Sequence, residues 1–291
     1  IKTYLQTIKR LYRFYEPGGD VIGNNEKWLS SSKVEKEYKD LPFNKRRHLS
    51  TGALKAHQAY GTKESKNGKE WFTRMIADQE KYQEHRNTNK ASDKEQESFL
   101  KNGLADVKRA ATEYKRQINR QLKQEQPTLK ILYRYQLYMN LRLFLELPFR
   151  NDFVTFKLKN YNSKKDNYII LGKQATFVVN QYKNSDLLGP RKVEISKSLT
   201  TTLKQFLKYR SKIVKHDFLL TDMKNKPMNK ASFGKSIQKI METLTSKRIG
   251  SRIFRIMHAN QNKDIIRKAS KLTEKMLHSK SGKQTRQYVK E

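Results

Sequence analysis

The chain has 291 residues, no cysteine, and 63 Lys+Arg against 28 Asp+Glu, a formal net charge of +35. Disulfides, thiolate metal sites and cysteine catalysis are therefore excluded. With 35% hydrophobic and 10% aromatic residues the chain can build real cores, so a balance this basic points to a nucleic-acid partner and not to a disordered tail. No run of ~18 apolar residues and no secretory pattern is present, so no membrane partner is expected. The chain opens on Ile1 instead of Met, the expectation for a chain trimmed at its start, and a removed leader stays open.

At ~100–200 residues per domain, two domains are expected. "IKTYLQTIKRLYRFY" sets Ile1, Leu5, Ile8, Leu11 and Tyr15 on one helical stripe. "EPGGDVIGNN" then breaks the chain with Pro and Gly. Helical periodicity returns at about 45–60, 70–86 and 97–123. The last of these carries Leu100, Leu104, Val107, Ala111 and Tyr114 on one side and Lys/Arg elsewhere, a basic stripe that suits phosphate contact. The stretch 62–96 is the most polar and is read as a linker or exposed arm. Pro127 opens "PTLKILYRYQLYMNLRLFLEL", apolar over much of its circumference and hence a buried helix. The domain boundary is set near 124–127, giving domains 1–124 and 125–291.

After Arg150 the period changes. "NYIIL", "ATFVVNQY" and "RKVEIS" read as three short strands. Four helical patterns follow, from "LTTTLKQFLKYRSKI" to "DIIRKASKLTEKMLH". The expected fold class is mainly α with a small three-stranded antiparallel sheet, an α+β second half behind an all-helical first half.

The histidines are scattered, without carboxylates at ligand spacing, and "EPGGDVIG" lacks the Lys-Ser/Thr of a phosphate loop. No metal and no cofactor is expected. An enzyme here would work with Arg, Lys, His and Tyr alone. Those types suit a phosphodiester: tyrosine as nucleophile, arginine forks on the non-bridging oxygens, and lysine or histidine to protonate the leaving oxygen.

Four stretches carry this set in order. "LFLELPFRNDFVTFKL" is a hydrophobic helix ending just before Arg150. "VVNQYKNSDLLGPRKVEIS" places Lys183 between two strands. "SRIFRIMHA" holds Arg252 and Arg255, and "MLHSKSGKQTRQYV" holds His278 and Tyr288. From about 126 onward the chain resembles the catalytic domain of the tyrosine recombinases, the phage-integrase type of site-specific recombinase. The resemblance implies that Arg150, Lys183, Arg252, Arg255, His278 and Tyr288 are catalytic. Lys173, in the first tight turn, competes with Lys183, and His258 reads as packed. The chain departs from the family pattern in four places. Arg252 stands where histidine is usual, Leu277 where glycine is. The His-to-Tyr interval is longer by one, and Phe153 replaces an acidic residue, with Asp152 one step away.

The resemblance further implies double-stranded DNA as partner, clamped by a helical core-binding-like domain 1–124 and the catalytic domain 125–291. It implies a homotetramer on paired DNA sites, and cutting and rejoining through a 3′-phosphotyrosine for DNA recombination or integration in a mobile element or virus. Such a protein acts inside the cell, wherever the target DNA is. Only "VKE" follows Tyr288, so the C-terminal segment that family members pass to a neighbour is expected to be missing. A type IB topoisomerase and a non-catalytic DNA-binding descendant remain alternatives, and Tyr288 as an ordinary surface residue is the plain reading beside the nucleophile.

Overall fold

The computed structural model describes residues 2–19, 21–88, 90–124 and 126–275. It divides into two compact units, 1–91 and 92–291.

The first unit holds α1 (Lys2–Tyr15), α2 (Ser32–Lys39), α3 (Phe43–Ala59) and α4 (Lys66–Asn87), with a 3₁₀ turn at Glu26–Ser30. Its core gathers Leu11, Tyr12, Trp28, Leu29, Val34, Tyr38, Leu49, Ala53 and Trp71. The stretch read as a linker contains α4, which packs along α3. Trp71 is fully buried and donates its indole N–H to the Leu29 carbonyl at 3.3 Å. One large anchor can hold a helix whose other positions are polar, because a buried aromatic removes 150–250 Å² from water. The buried carboxylate of Asp78 accepts from the Tyr38 hydroxyl and from Arg46 Nε at 3.1 Å. Burial, with the hydrogen bond to Asp78, pushes the Tyr38 hydroxyl well above its ordinary pKa.

The second unit opens with α5 (Asp93–Ser98) and α6 (Leu104–Gln124). It continues through α7 (Leu129–Glu146), a 3₁₀ turn at Asn151–Thr155, β1 (Phe156–Lys157), β2 (Asn167–Leu171), β3 (Ala175–Val179), the short α8 (Ser185–Leu188) and β4 (Arg191–Glu194). It closes with α9 (Lys197–Arg210), α10 (Lys230–Thr245), α11 (Ser251–Gln261) and α12 (Lys263–Lys275). The boundary between units therefore lies at 91/92, not near 124–127. The reason is burial: Val107, Ala111, Tyr114 and Ile118 put the apolar stripe of α6 into the same core as α7. Helix α7 is buried on most sides, as its composition suggested.

The sheet differs from expectation. It has four strands in the order β1-β2-β3-β4; β2, β3 and β4 pair antiparallel, but β1 runs parallel to β2, so the sheet is mixed. β1 pairs through only two residues, too few to show a period of two in the sequence. Away from the sheet, Gln136 on α7 exchanges two 2.9 Å hydrogen bonds with the Thr221 backbone, satisfying buried polar groups that would otherwise cost ~1–3 kcal/mol each. Among the described residues no helix is long and apolar enough to cross a membrane.

Candidate functional site

Seven phenylalanines pack into one cluster that joins the elements carrying the site; of these only Phe149 lines a space beside the cations. Phe144 stacks on Phe254 at 4.6 Å and meets Phe153 edge-on at 5.3 Å. Phe153 in turn touches Phe149, Phe177 and Phe233 at 5.3, 6.3 and 6.2 Å, and Phe156 meets Phe177 at 4.9 Å. These rings belong to α7, the turn after it, β1, β3, α10 and α11. The end of α7, the loop after β3, α10 and α11 carry the cations described next.

Arg150 follows directly on the end of α7. Pro148 cannot continue the helix and biases Leu147 to extended backbone, as found at φ −116°, ψ 96°. Phe149 and Phe153 then anchor the chain on either side of Arg150, whose extended backbone caps the 3₁₀ turn.

Lys183 sits on a tethered loop. The buried Asn167 amide exchanges two hydrogen bonds with the Gln181 backbone, at 2.7 and 2.9 Å, extending the pairing past the end of β3. The Tyr182 hydroxyl then donates to the Gly189 carbonyl at 2.8 Å, closing the loop on itself. Gly189 has φ +66°, the left-handed region where a side chain would be strained.

Arg252 and Arg255 lie one turn apart on α11, which buries Ile253, Phe254 and Met257 on its other face. His258, next on that helix, places Nε2 2.7 Å from the Phe144 carbonyl. It is a packing residue tying α11 to α7, as its sequence context suggested.

These placements bring Arg150, Lys183, Arg252 and Arg255 together along one open cleft of about 790 Å³. A narrower recess of about 280 Å³ adjoins it and shares Arg150, Lys183 and Arg255. Lys173 lies in the β2–β3 turn and does not line either space. His278 and Tyr288 lie outside the described residues.

The cleft also holds residues that sequence spacing did not reveal. Lys230, the first residue of α10, lines it and pairs with Asp152 at 2.8 Å. Gly234 on that helix lets Asn151 approach, since an added Cβ would sit 2.9 Å from the Asn151 amide nitrogen. Nothing near Lys230 in sequence signals this role; its partner lies 78 positions away. Asp152, one step from Phe153, was already visible in the sequence as the nearest acidic residue after Arg150.

The lining thus carries five cations, Arg150, Lys183, Lys230, Arg252 and Arg255, and one carboxylate, Asp152. Among the described residues, Arg150, Lys183 and Arg255 have no side-chain hydrogen bond or ion pair. Lys230 is held by Asp152, and Arg252 by Glu95 from α5. Such an arrangement can grip a phosphate through two guanidinium forks and offer a proton from an ammonium. Among the described residues no three His, Asp or Glu side chains gather as a metal-binding group.

No family model, no curated protein and no solved structure matches the chain.

Proposed function

We propose that this chain is a site-specific DNA strand transferase of the tyrosine-recombinase type. One observation carries the reading: four basic residues chosen from sequence order alone, Arg150, Lys183, Arg252 and Arg255, line one cleft. Three of them lack an acidic partner among the described residues. Unpaired like charges held together in one cleft suit an anionic ligand better than a structural role.

In this reading, Arg150 and Arg255 hold the non-bridging oxygens of the scissile phosphate of duplex DNA. Arg252 and His278 add hydrogen bonds. The Tyr288 oxygen attacks phosphorus, the bond to the 5′ oxygen breaks, and Lys183 protonates that oxygen as it leaves. The 3′-phosphotyrosine keeps the bond energy, and a 5′ hydroxyl of a partner strand reverses the step. Recombination on paired sites would use a homotetramer.

Tyr288→Phe tests the proposal. The wild-type chain, given a nicked suicide duplex carrying the element's own ends, should form a covalent adduct mapping to "QYVK", residues 287–290. The variant should bind the duplex equally well and form none. An adduct on another tyrosine would discard the site; no adduct from wild type would reject the enzyme and favour a binding-only protein. A type IB topoisomerase is the second reading, favoured by an arginine at 252. It would relax a supercoiled plasmid without pairing two sites, which separates the two.

A further inference from the structure

Glu95 is the acidic group that meets the cationic set from outside the cleft lining. It is the third residue of α5, and Ser92 caps that helix. One carboxylate oxygen, Oε2, accepts from the Ser92 N–H and the Ser92 hydroxyl, each at 3.0 Å. The other, Oε1, accepts from Arg252 Nε at 2.7 Å and lies 2.6 Å from Arg252 Nη2. The Glu95 side chain is 15% exposed, whereas that of Arg252 is 79% exposed. The Ser92 backbone N–H, and Arg252 with it, hold the Glu95 carboxyl below the usual carboxylate range. The carboxylate is thus fixed at one end by a helix cap and grips the guanidinium with the other.

We infer that Glu95 is a positioning residue for Arg252: it fixes the guanidinium by its Nε–Nη2 edge and leaves the opposite edge for the DNA phosphate. The inference rests on the strand-transfer reading of the cleft. An arginine has five N–H donors in a rigid fork, and Glu95 occupies only two. The Nη1 donors and the second Nη2 donor stay free, and Arg252 lines the cleft while Glu95 does not. A lone arginine this exposed would sample many rotamers, and ordering it on binding would cost side-chain freedom. Glu95 removes much of that freedom beforehand. Because its second oxygen is engaged by Ser92, the carboxylate cannot swing with Arg252 toward the phosphate and compete for it.

Glu95→Gln is the suitable variant, because glutamine also closes a capping box. Helix α5 should survive, and only the charged grip on Arg252 is lost. Single-turnover adduct formation on the suicide duplex should fall roughly tenfold, the scale of a misplaced contact group, with duplex affinity unchanged or tighter. Arg252→Ala should lose more, and the double variant should equal Arg252→Ala. A Glu95→Gln variant that cleaves at the wild-type rate or faster, or losses that multiply, would overturn the positioning role while leaving strand transfer intact.

If wild type forms no adduct, the strand-transfer reading fails separately, and proton–nitrogen spectra of the full chain decide the positioning. A protected Arg252 Nε–H signal that persists when duplex DNA is added, and is lost in Glu95→Gln, supports it. Disappearance of that signal from wild type on adding duplex would show Glu95 to be a competitor of phosphate, and would overturn it.

Discussion

The two units show two uses of the same residue types. In the first unit, Arg46, Arg47 and Arg74 are matched. Arg46 pairs with the buried Asp78, and Arg74 pairs with Glu35 while lying 4.9 Å over the Trp71 ring. Arg47 sits 3.7 Å over the ring of Tyr82. In the cleft of the second unit, Arg150, Lys183 and Arg255 have no carboxylate of their own among the described residues. Charges kept for structure are paired, because an unpaired buried charge is costly. Charges kept for a ligand can stay unpaired where water screens them until the ligand arrives.

Salt offers the broadest way to break this comparison. If the unpaired cations meet DNA, six or more phosphate contacts should lower duplex affinity ~10³-fold or more between about 50 and 200 mM salt. Fluorescence anisotropy with a labelled duplex measures it, and a flat response would place the +35 charge away from the interface.

Arginine truncation sharpens the contrast. Arg150→Ala and Arg255→Ala should each lower adduct formation by ~10²–10³, the cost of losing a preorganised donor. Neither should lower the melting temperature, since neither loses a partner. Wild-type cleavage by either would mean the cleft is misassigned.

In the first unit the expected outcome is the reverse. Asp78→Ala leaves Arg46 and Tyr38 without their acceptor and should destabilise that unit by about 3 kcal/mol, the lower end for a broken buried pair. The lower end applies because the Arg46 side chain is still 22% exposed. Denaturant titration followed by tryptophan fluorescence reads this unit selectively, since Trp28 and Trp71, both in its core, are the chain's two tryptophans. Adduct formation under folding conditions should be retained.

The smallest effect concerns His216. Its Nδ1 lies 3.1 Å from Arg210 Nη2, which cannot accept a hydrogen bond and carries positive charge, so the neutral ring is favoured. Arg210 itself is buried on backbone carbonyls and pushed down to about 10 by desolvation. Burial first, and then Arg210, lower the His216 pKa from 6.5. The unfolded chain therefore takes up this proton first as pH falls. Stability is fully present above about 6.5 and declines below it, until the lowered folded-state pKa is reached. His48 and His57 are lowered by burial too and act in the same direction. Melting temperatures between about pH 7 and about pH 5 should fall, and His216→Gln should flatten the slope. An unchanged slope would assign the dependence to the other histidines.

How much of this was legible depended on the distance over which each feature is encoded. The strands of "NYIIL" and "RKVEIS", the helix α7 and the helices α9 to α11 follow local periodicity, and local periodicity is in the sequence. The four cleft cations were found because their order along the chain could be matched to a known pattern. β1 was missed because it is two residues long. The helix at 70–86 was read, but its place in the first core was not, because its hold rests chiefly on Trp71 amid polar neighbours. The boundary was misplaced because the charged outer face of α6 hides how firmly Val107, Ala111 and Tyr114 join the second core. Lys230 and Glu95 reach the cleft cations only through the fold. Glu95 lies 157 positions from Arg252, and no spacing rule spans that.

The phenylalanine cluster has an electrostatic consequence. Its buried rings polarise weakly, so the core that carries Arg150 and Arg255 screens their field less than water would. Field lines from the cations are driven outward into the cleft, where a low-dielectric wall concentrates them. The same charges on a fully solvated segment would be screened on all sides. A phosphate entering the cleft should therefore meet a potential steeper than the net charge alone provides, and one less eroded by salt than the rest of the basic surface.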